Sequence, residues 1–264
     1  MTGSRGHTLA IVQARTSSSR LPGKVLKPLA GAPMILRQLE RVSRARTLDG
    51  VVVATSDDAA DDELAQVLEH TGYGIVRGPL EDVLERFKFA LDEYQPDVVV
   101  RITADCPLIS PMVIDVVVER FHSSTSDYVS NTLQPTFPDG LDVEVMTAEA
   151  LREAANASTD RHEREHVTLG IYRHPEKFSA ENVVDPLGND NSGMRWTVDN
   201  LDDFAFVSAV YEHLYPQHFD YDDILDLLTS QPELNRTDAN APRNAALEGL
   251  DTGAMRNSRT KDHQ

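Results

Sequence analysis

The chain has few of the features that mark secreted, membrane-spanning or disulfide-stabilised proteins. Cys106 is the single cysteine among 264 residues, so an internal disulfide framework is excluded. No apolar run approaches the ~20 residues that a membrane-spanning helix needs. The first residues also have neither the long apolar core nor the small-residue cleavage site of a signal peptide. We therefore expect a cytoplasmic protein that does not bind membranes.

Positive charge is scarce everywhere except near the N-terminus. The net charge is −18, yet residues 1–46 hold nine Lys or Arg and a single acid, Glu40. Because an acidic protein repels a phosphate backbone outside such a patch, we expect no binding to DNA or RNA. A small anionic ligand suits the patch better. A solvated basic helix face is the alternative explanation for the four arginines at positions 37–46.

The most informative segment is QARTSSSRLPGKVLKPL, residues 13–29. It follows the apolar run LAIV and precedes an amphipathic helical pattern, so a strand, a loop and a helix are expected in that order. The loop combines cationic side chains with three serines and Gly23, which lets the backbone approach an anion closely. This composition favours a polyanionic ligand such as a nucleoside triphosphate.

Two common phosphate-binding motifs are absent. Ser18 stands where a P-loop has its first glycine, and Val25 replaces the Ser or Thr that would hold magnesium. Gly72, Gly74 and Gly78 miss the dinucleotide fingerprint by one residue of spacing. The sequence therefore favours neither a P-loop nor a Rossmann nucleotide site.

Apolar, β-branched runs alternate with helical patterns along the N-terminal half. Strands are expected at 9–14, 51–55, 73–77 and 98–103. This alternation predicts an α/β fold with a mostly parallel sheet and helices on both faces. In such sheets ligands bind beyond the carboxyl ends of the strands.

The length of the chain favours one domain over two. We expect a single domain over residues 1–234, with a less regular excursion at about 122–193 that binds the acceptor or forms a dimer. Residues 235–264 are polar and poorly periodic, so a disordered tail is expected there.

Several segments resemble the spore coat polysaccharide type cytidylyltransferases, which are related to CMP-KDO and CMP-sialic acid synthetases. They occur in the family's order between Leu9 and Leu228, and they are QARTSSSRLPGK, VVVATSDD, RGPLEDVLERF, RITADCPLI, PDGLDVEV, EREHVT and RWTVDNLDD. The resemblance implies a glycosyltransferase A-like fold, Mg²⁺ dependence and a homodimer. The implied reaction transfers CMP from CTP to a sugar acid or phosphorylated sugar-like acceptor, with release of pyrophosphate, in polysaccharide biosynthesis.

The resemblance also assigns the reactive centre. Arg15, Lys24 and Asp105 match catalytic positions, and Asp105 and Asp199 match the two metal positions. Two carboxylates with Mg²⁺ suit an in-line nucleotidyl transfer, while a cationic loop suits the departing pyrophosphate.

The implied nucleotide site is larger and departs from the family at two positions. Ala104 stands where the family usually has glycine, and its methyl group would point toward the nucleotide if the backbone approached equally closely. Gln13 replaces the proline typical of CMP-KDO synthetases and argues against that sugar acid as the acceptor. The expected nucleotide-binding residues are Gln13, Ala14, Arg15, Ser19, Arg20, Lys24, Arg77, Asp82 and Thr103.

Acceptor-binding candidates come from the excursion. Asp142 and Glu144 are spaced by two residues, so in a strand both project from one face. A solvent-facing polar edge is the alternative for them. An arginine here could pair with a substrate carboxylate or phosphate. The expected acceptor-binding residues are Asp139, Asp142, Glu144, Arg161, Glu165 and His166.

The sequence contains short motifs of other functions, which fit it less well. Residues 162–166, HEREH, satisfy the H-E-x-x-H pattern of zinc hydrolases, although this leaves the N-terminal half unexplained. A glycosyltransferase of the same fold usually needs a D-x-D motif. Residues 97–105 contain no such triplet, whereas residues 220–222, DYD, lie far along the chain. A catalytically silent binding module would not need to retain Arg15, Lys24, Asp105 and Asp199 together.

Overall fold

The computed structural model describes residues 6–235. Its centre is a seven-stranded sheet in the order β5-β4-β1-β6-β8-β7-β9, and β2 and β3 form a separate short hairpin. The strands are β1 Thr8–Gln13, β2 Pro28–Leu29, β3 Ala32–Pro33, β4 Gly50–Ser56, β5 Gly74–Gly78, β6 Val98–Thr103, β7 Tyr128–Ser130, β8 Glu144–Thr147 and β9 Ala180–Asn182.

Helices connect and cover the strands. Short 3₁₀ turns lie at Lys24–Leu26, Ala59–Asp61 and Pro232–Leu234. The α-helices are α1 Met34–Val42, α2 Asp62–Glu69, α3 Val83–Tyr94, α4 Pro111–Ser123, α5 Ala148–Ala157, α6 Arg161–His166, α7 Leu169–Tyr172, α8 Leu201–Leu214 and α9 Tyr221–Ser230.

Strand β1 is buried on both faces, which explains its continuous apolar sequence. Ala10 and Val12 belong to one hydrophobic core, with apolar residues of α1, α4, α8 and α9. Leu9 and Ile11 belong to a second core, with apolar residues of α3, α5 and α7. The predicted α/β fold with a mostly parallel sheet and helices on both faces is confirmed.

The sheet is parallel in its first half and mixed in its second. β1 pairs in parallel with β4 and β6, and β4 pairs in parallel with β5. β8 then pairs antiparallel with both β6 and β7. The expected excursion, residues 122–193, thus adds its strands to the same central sheet. The tail expected at 235–264 lies outside the described residues apart from Asn235, and the domain limits stay a prediction.

The carboxyl ends of four parallel strands meet at one edge of the sheet. Gln13 at the end of β1 lies opposite Thr103 of β6 and Ala54 of β4. The loops after β1, β4, β5 and β6 therefore leave the sheet side by side, as expected for a ligand site in this class of fold.

None of the helices within residues 6–235 has the length and apolar composition of a membrane span.

Candidate active site

The loop after β1 closes on itself through its backbone. The carbonyl oxygen of Thr16 accepts hydrogen bonds from the amides of Ser18 and Gly23, both at 2.8 Å. Gly23 has φ +69° and ψ +12°, a left-handed conformation that favours glycine. This turn directs the chain into the 3₁₀ turn that begins at Lys24.

Lys24 connects this loop to two aspartates from distant parts of the chain. Its side chain is largely buried, and Nζ lies 3.1 Å from Asp199 Oδ1 and 3.8 Å from Asp105 Oδ2. Nζ also donates a 2.6 Å hydrogen bond to the carbonyl oxygen of Val198. One ammonium group therefore lies between the two carboxylates that the resemblance assigns to the metal.

Asp199 receives three cationic side chains. In addition to Lys24, Arg20 Nη2 lies 2.9 Å from Asp199 Oδ2, and Arg195 Nη2 donates to the same oxygen. Burial raises the pKa of Asp199, but the nearby charges of Lys24, Arg20 and Arg195 lower it by more than burial raises it. The net pKa of Asp199 therefore falls below its ordinary value. We call Arg20, Lys24, Arg195 and Asp199 the Asp199 cluster.

A helix cap fixes the backbone around Asp199. The amides of Asp199 and Asn200 donate to Asp203 Oδ2 at 2.8 and 3.0 Å. Asn200 is the N-cap of α8, and its side chain accepts hydrogen bonds from the amides of Asp202 and Asp203. This capping box holds Asp199 one residue before the N-cap of α8.

Asp105 is oriented by its neighbours at the end of β6. Thr103 Oγ1 donates a 2.6 Å hydrogen bond to Asp105 Oδ1, which leaves Oδ2 directed toward Lys24. The carbonyl oxygen of Asp105 accepts a 2.8 Å hydrogen bond from the Val198 amide. This backbone contact holds the Asp105 and Asp199 segments side by side.

The donor set around Lys24 fits magnesium. Mg²⁺ prefers oxygen ligands and is commonly held by one or two carboxylates together with substrate phosphates and waters. Asp105 and Asp199 supply such carboxylates on either side of a cation. Within residues 6–235, no group of three or more His, Cys, Asp or Glu side chains is arranged to hold a metal. Two carboxylates fill only part of the octahedral shell of Mg²⁺, so substrate phosphates and waters would complete it.

Arg195 is part of this centre, although it was not among the predicted site residues. Its Nη1 lies 3.1 Å from Asp139 Oδ2, so its guanidinium bridges Asp139 and Asp199. Gly140 allows this approach, because a Cβ on it would lie 2.8 Å from the carbonyl carbon of Trp196. The position of Arg195 in RWTVDN, four residues before Asp199, was the available signal.

The remaining predicted residues at the ends of β1 and β6 differ in exposure. Arg15, Ser19 and Arg20 are exposed and accessible to an anionic ligand. The side chains of Ala14 and Ala104 belong to the hydrophobic core. Because the Ala104 methyl group packs inward, only the backbone at these two alanines can face a nucleotide.

Arg77 and Asp82 have local partners. Arg77 Nε donates to the Ser56 carbonyl oxygen at 2.9 Å, and Nη2 lies 2.7 Å from Asp62 Oδ1. Asp82 caps α3 by accepting from the Glu85 amide, and it pairs with Arg164. Both residues therefore join elements beside the loop, and their contact with a nucleotide stays a prediction.

Gln13, at the end of β1, belongs to a polar network with Arg101 and Glu144. Arg101 Nε donates a 2.9 Å hydrogen bond to Gln13 Oε1, and Arg101 Nη1 pairs with Glu144. The side-chain oxygen of Gln13 is therefore occupied by Arg101. The side-chain nitrogen of Gln13 can donate to a ligand. Sequence analysis missed Arg101, although a charge inside the apolar run DVVVRIT was a visible signal.

The acceptor candidates do not form one cluster. Asp139 joins the Asp199 cluster through Arg195, and Glu144 is buried beside Arg101. Asp142 is partly exposed in the segment before β8. Arg161 and Glu81 form an exposed ion pair, whereas Glu165 and His166 are partly buried on α6. Burial lowers the pKa of His166.

The alternative motifs have structural partners of their own. Glu163 of HEREH accepts a 2.6 Å hydrogen bond from Ser158, and His174 Nε2 lies 3.5 Å from it. Asp220 of the DYD triplet caps α9 and accepts a hydrogen bond from Ser110. Neither motif contributes to the Asp199 cluster.

Comparison with known proteins identifies a family. The family model described as Cytidylyltransferase matches residues 9–229. An uncharacterized protein of Methanocaldococcus jannaschii is 34% identical over 91% of this chain and 98% of that protein. A spore coat polysaccharide biosynthesis protein of Bacillus subtilis is 33% identical over 77% of this chain and 86% of that protein.

Solved structures extend the comparison to the fold. A cytidylyltransferase from Leptospira borgpetersenii serovar Hardjo-bovis superposes with a TM-score of 0.83 at 27% identity, covering 90% of this chain and 100% of that one. The nucleotidyltransferase-like α/β fold that the resemblance implied is thus confirmed. Since the family model spans residues 9–229, the chain belongs to the cytidylyltransferase family and is a nucleotidyltransferase.

Proposed function

We propose that the chain transfers CMP from CTP to a sugar acid or phosphorylated sugar-like acceptor, with Mg²⁺ as cofactor and pyrophosphate as product. The observation that carries this proposal is the position of Lys24 between Asp105 and Asp199 at the end of β1. This placement combines a cation for a triphosphate with two carboxylates for a metal at one end of the sheet.

The chain's own cations can bind and orient the triphosphate. Arg15 and Arg20 are exposed in the same loop as the buried Lys24, so this loop presents two accessible guanidinium groups to phosphate oxygens. In the structure described here Arg20 and Lys24 pair with Asp199, and a bound triphosphate would compete for these contacts. Lys24 and Arg20 would then stabilise the negative charge that develops on the leaving pyrophosphate.

Asp105 and Asp199 would hold the metal. Bound Mg²⁺ would supply neutralisation of phosphate charge and orientation of the α-phosphate toward the attacking oxygen. The pKa of Asp199 is lowered by Lys24, Arg20 and Arg195, so this carboxylate already attracts positive charge in the fold.

The acceptor proposal rests on charge and on the relatives. Arg195 and Gln13 carry N–H groups that can donate to a carboxylate or phosphate oxygen. The Bacillus subtilis relative is described as acting in spore coat polysaccharide biosynthesis. An anionic sugar that enters a polysaccharide fits both observations. A homodimer stays a proposal that sedimentation velocity can test.

The decisive experiment measures thermal unfolding with CTP, UTP, GTP and ATP, each with and without Mg²⁺. A ligand present at ~100 times its dissociation constant stabilises the folded state by ~2.7 kcal/mol. A shift confined to CTP with Mg²⁺ supports the proposal and justifies a screen of anionic sugars by pyrophosphate release. A shift with another triphosphate alone would change the base assignment, and no shift with any of them would contradict the proposal.

A further inference from the structure

Asp61 lies outside the Asp199 cluster but contacts the same loop. It ends the 3₁₀ turn Ala59–Asp61 before α2, and its side chain is buried at 1% residue exposure. Asp61 Oδ1 accepts hydrogen bonds from both the amide and the hydroxyl group of Thr16, each at 2.7 Å. Asp61 Oδ2 accepts from the Ser56 amide at 3.2 Å and from the Ser56 hydroxyl group. One carboxylate thus joins the loop after β1 to the end of β4.

Thr16 is the residue through which this contact reaches the rest of the loop. Its carbonyl oxygen accepts from the amides of Ser18 and Gly23, which closes the turn that leads to Lys24. Its amide and hydroxyl groups are held by Asp61 at the same time. The position of the closed turn relative to the sheet therefore depends on a carboxylate 45 residues away in the sequence.

We propose that Asp61 is a positioning residue that holds the loop of residues 15–24 in the geometry required to bind a nucleoside triphosphate. This role rests on the proposed function, because it assigns the triphosphate to that loop. Asp61 itself is buried behind Thr16 and acts through it.

The charge state of Asp61 suits an anchor. Burial raises the pKa of Asp61, but hydrogen bonds from Ser56 and Thr16 lower it more strongly, so the net pKa falls below its ordinary value. The ionised carboxylate then accepts from all four surrounding donors, and hydrogen bonds to a charged acceptor are stronger than neutral ones. Such a fixed support reduces the ordering that a flexible cationic loop would otherwise undergo when it binds.

Asp115 provides a matched control elsewhere in the fold. It is also buried, and its Oδ1 accepts from the Thr47 amide at 2.9 Å and from the Thr47 hydroxyl group at 2.8 Å. Thr47 precedes β4, and nearby Asp49 bonds to Thr8, the first residue of β1. The same type of anchor therefore exists at the opposite edge of the sheet, away from the Asp199 cluster.

The test compares Asp61→Ala and Asp61→Asn with Asp115→Ala and Asp115→Asn in the full chain. Hydrogen–deuterium exchange without ligand reports on each loop, and steady-state pyrophosphate release reports on KM for CTP and on kcat. We expect Asp61→Ala to accelerate exchange in residues 14–27 and to raise KM for CTP about tenfold, as loss of a supporting partner commonly does. Asp115→Ala should accelerate exchange near Thr47 and leave KM unchanged.

The conservative variants sharpen the comparison. In Asp61→Asn the amide oxygen can still accept from Thr16, so we expect a smaller rise of KM than in Asp61→Ala. Thr16→Val removes the hydroxyl contacts with Asp61 and with the Ala60 carbonyl oxygen but keeps the amide contact with Asp61. It replaces Asp61→Ala if that variant does not fold. A rise of KM that merely follows the loss of melting temperature, equal in the Asp61 and Asp115 variants, would overturn the proposal.

The two measurements separate this proposal from the proposed function. Unchanged exchange in residues 14–27 of Asp61→Ala would overturn the anchoring role whether or not the wild-type chain uses CTP. Accelerated exchange with an unchanged KM would show that the anchor does not serve nucleotide binding. A wild-type chain that gives no triphosphate response overturns the proposed function and, with it, the nucleotide role of Asp61. The exchange data still show whether Asp61 holds the loop of residues 15–24 in place.

Discussion

Arg101 and Glu144 form a buried ion pair where the parallel half of the sheet meets its antiparallel half. The two residues lie opposite each other in the pairing of β6 with β8, and their side chains are 13% and 8% exposed. Glu144 Oε1 also accepts hydrogen bonds from Tyr128 at 2.6 Å and Thr168 at 2.5 Å. Both carboxylate oxygens of Glu144 are therefore engaged within the fold, although the sequence had suggested that Glu144 binds the acceptor.

Glu144→Gln should lower stability. The substitution keeps the size of the side chain but leaves the buried Arg101 guanidinium without its counter-charge, a change that costs about 3 kcal/mol in buried pairs. Chemical denaturation of the two proteins measures this difference. The control is Glu81→Gln, which removes the exposed pair with Arg161 and should cost less than about 1 kcal/mol. Equal stability of Glu144→Gln and wild type would contradict the structural role of the pair.

The strands of the first half of the fold were predicted well from the sequence, because each one is an apolar run between helical patterns and can be recognised from neighbouring residues alone. The run at 98–103 became β6 at the same limits. Contacts between distant residues were not predictable in this way. Arg101 pairs with Glu144, and Thr16 donates to Asp61, only after the chain has folded. A charge in an apolar run signals that a partner exists but does not identify it.

In the reactive centre too, residues in motifs were predictable and contacts between distant residues were not. Lys24, Asp105 and Asp199 were identified from motifs, and the structure brings them together. Arg195 was missed because its position four residues before Asp199 does not show which side chains it contacts in the fold. Its bridge between Asp139 and Asp199 depends on the close approach of Gly140 to Trp196.

Lys24→Met should weaken binding of CTP. Hydrogen bonds to charged groups contribute about 2 kcal/mol, so we expect KM for CTP to rise roughly 30-fold. Pyrophosphate release at varied CTP concentration measures this change. Lys88→Met is the control, because Lys88 lies on α3 and pairs only with neighbouring Glu85 among the residues described. An unaltered KM in Lys24→Met would remove Lys24 from the triphosphate site.

Asp105→Asn should reduce turnover far more than stability. Thr103 can still donate to the amide oxygen, so the local hydrogen bond is kept while the negative charge is lost. We expect kcat to fall about 100-fold, as when one electrostatic contact to the reacting group is removed. Stopped-time assays at saturating CTP and Mg²⁺ measure kcat, and Asp92→Asn on the exposed face of α3 is the control. Turnover equal to wild type would refute a metal-binding role for Asp105.

Asp82 allows its structural and nucleotide roles to be separated. Asp82→Asn keeps a side chain suited to the N-cap of α3 but removes the charge that pairs with Arg164. Asp82→Ala removes both and should cost about 1 kcal/mol more. If Asp82 serves only these contacts, KM for CTP stays unchanged in Asp82→Asn. A raised KM in that variant, with stability retained, would establish the nucleotide contact that the resemblance implied.

His166 should make stability depend on pH in the weakly acidic range. Burial lowers the pKa of His166, Glu165 opposes this, and Arg101, His162 and Arg173 add to the lowering. The unfolded chain therefore takes up the proton first as pH falls, so the stabilising contribution is complete above the ordinary pKa of 6.5 and is lost as pH falls toward the folded pKa. Urea denaturation between neutral pH and pH ~5 should show stability falling more steeply in wild type than in His166→Gln. Equal slopes in the two proteins, with unchanged m-values, would show that His166 is not held in its neutral form by the fold.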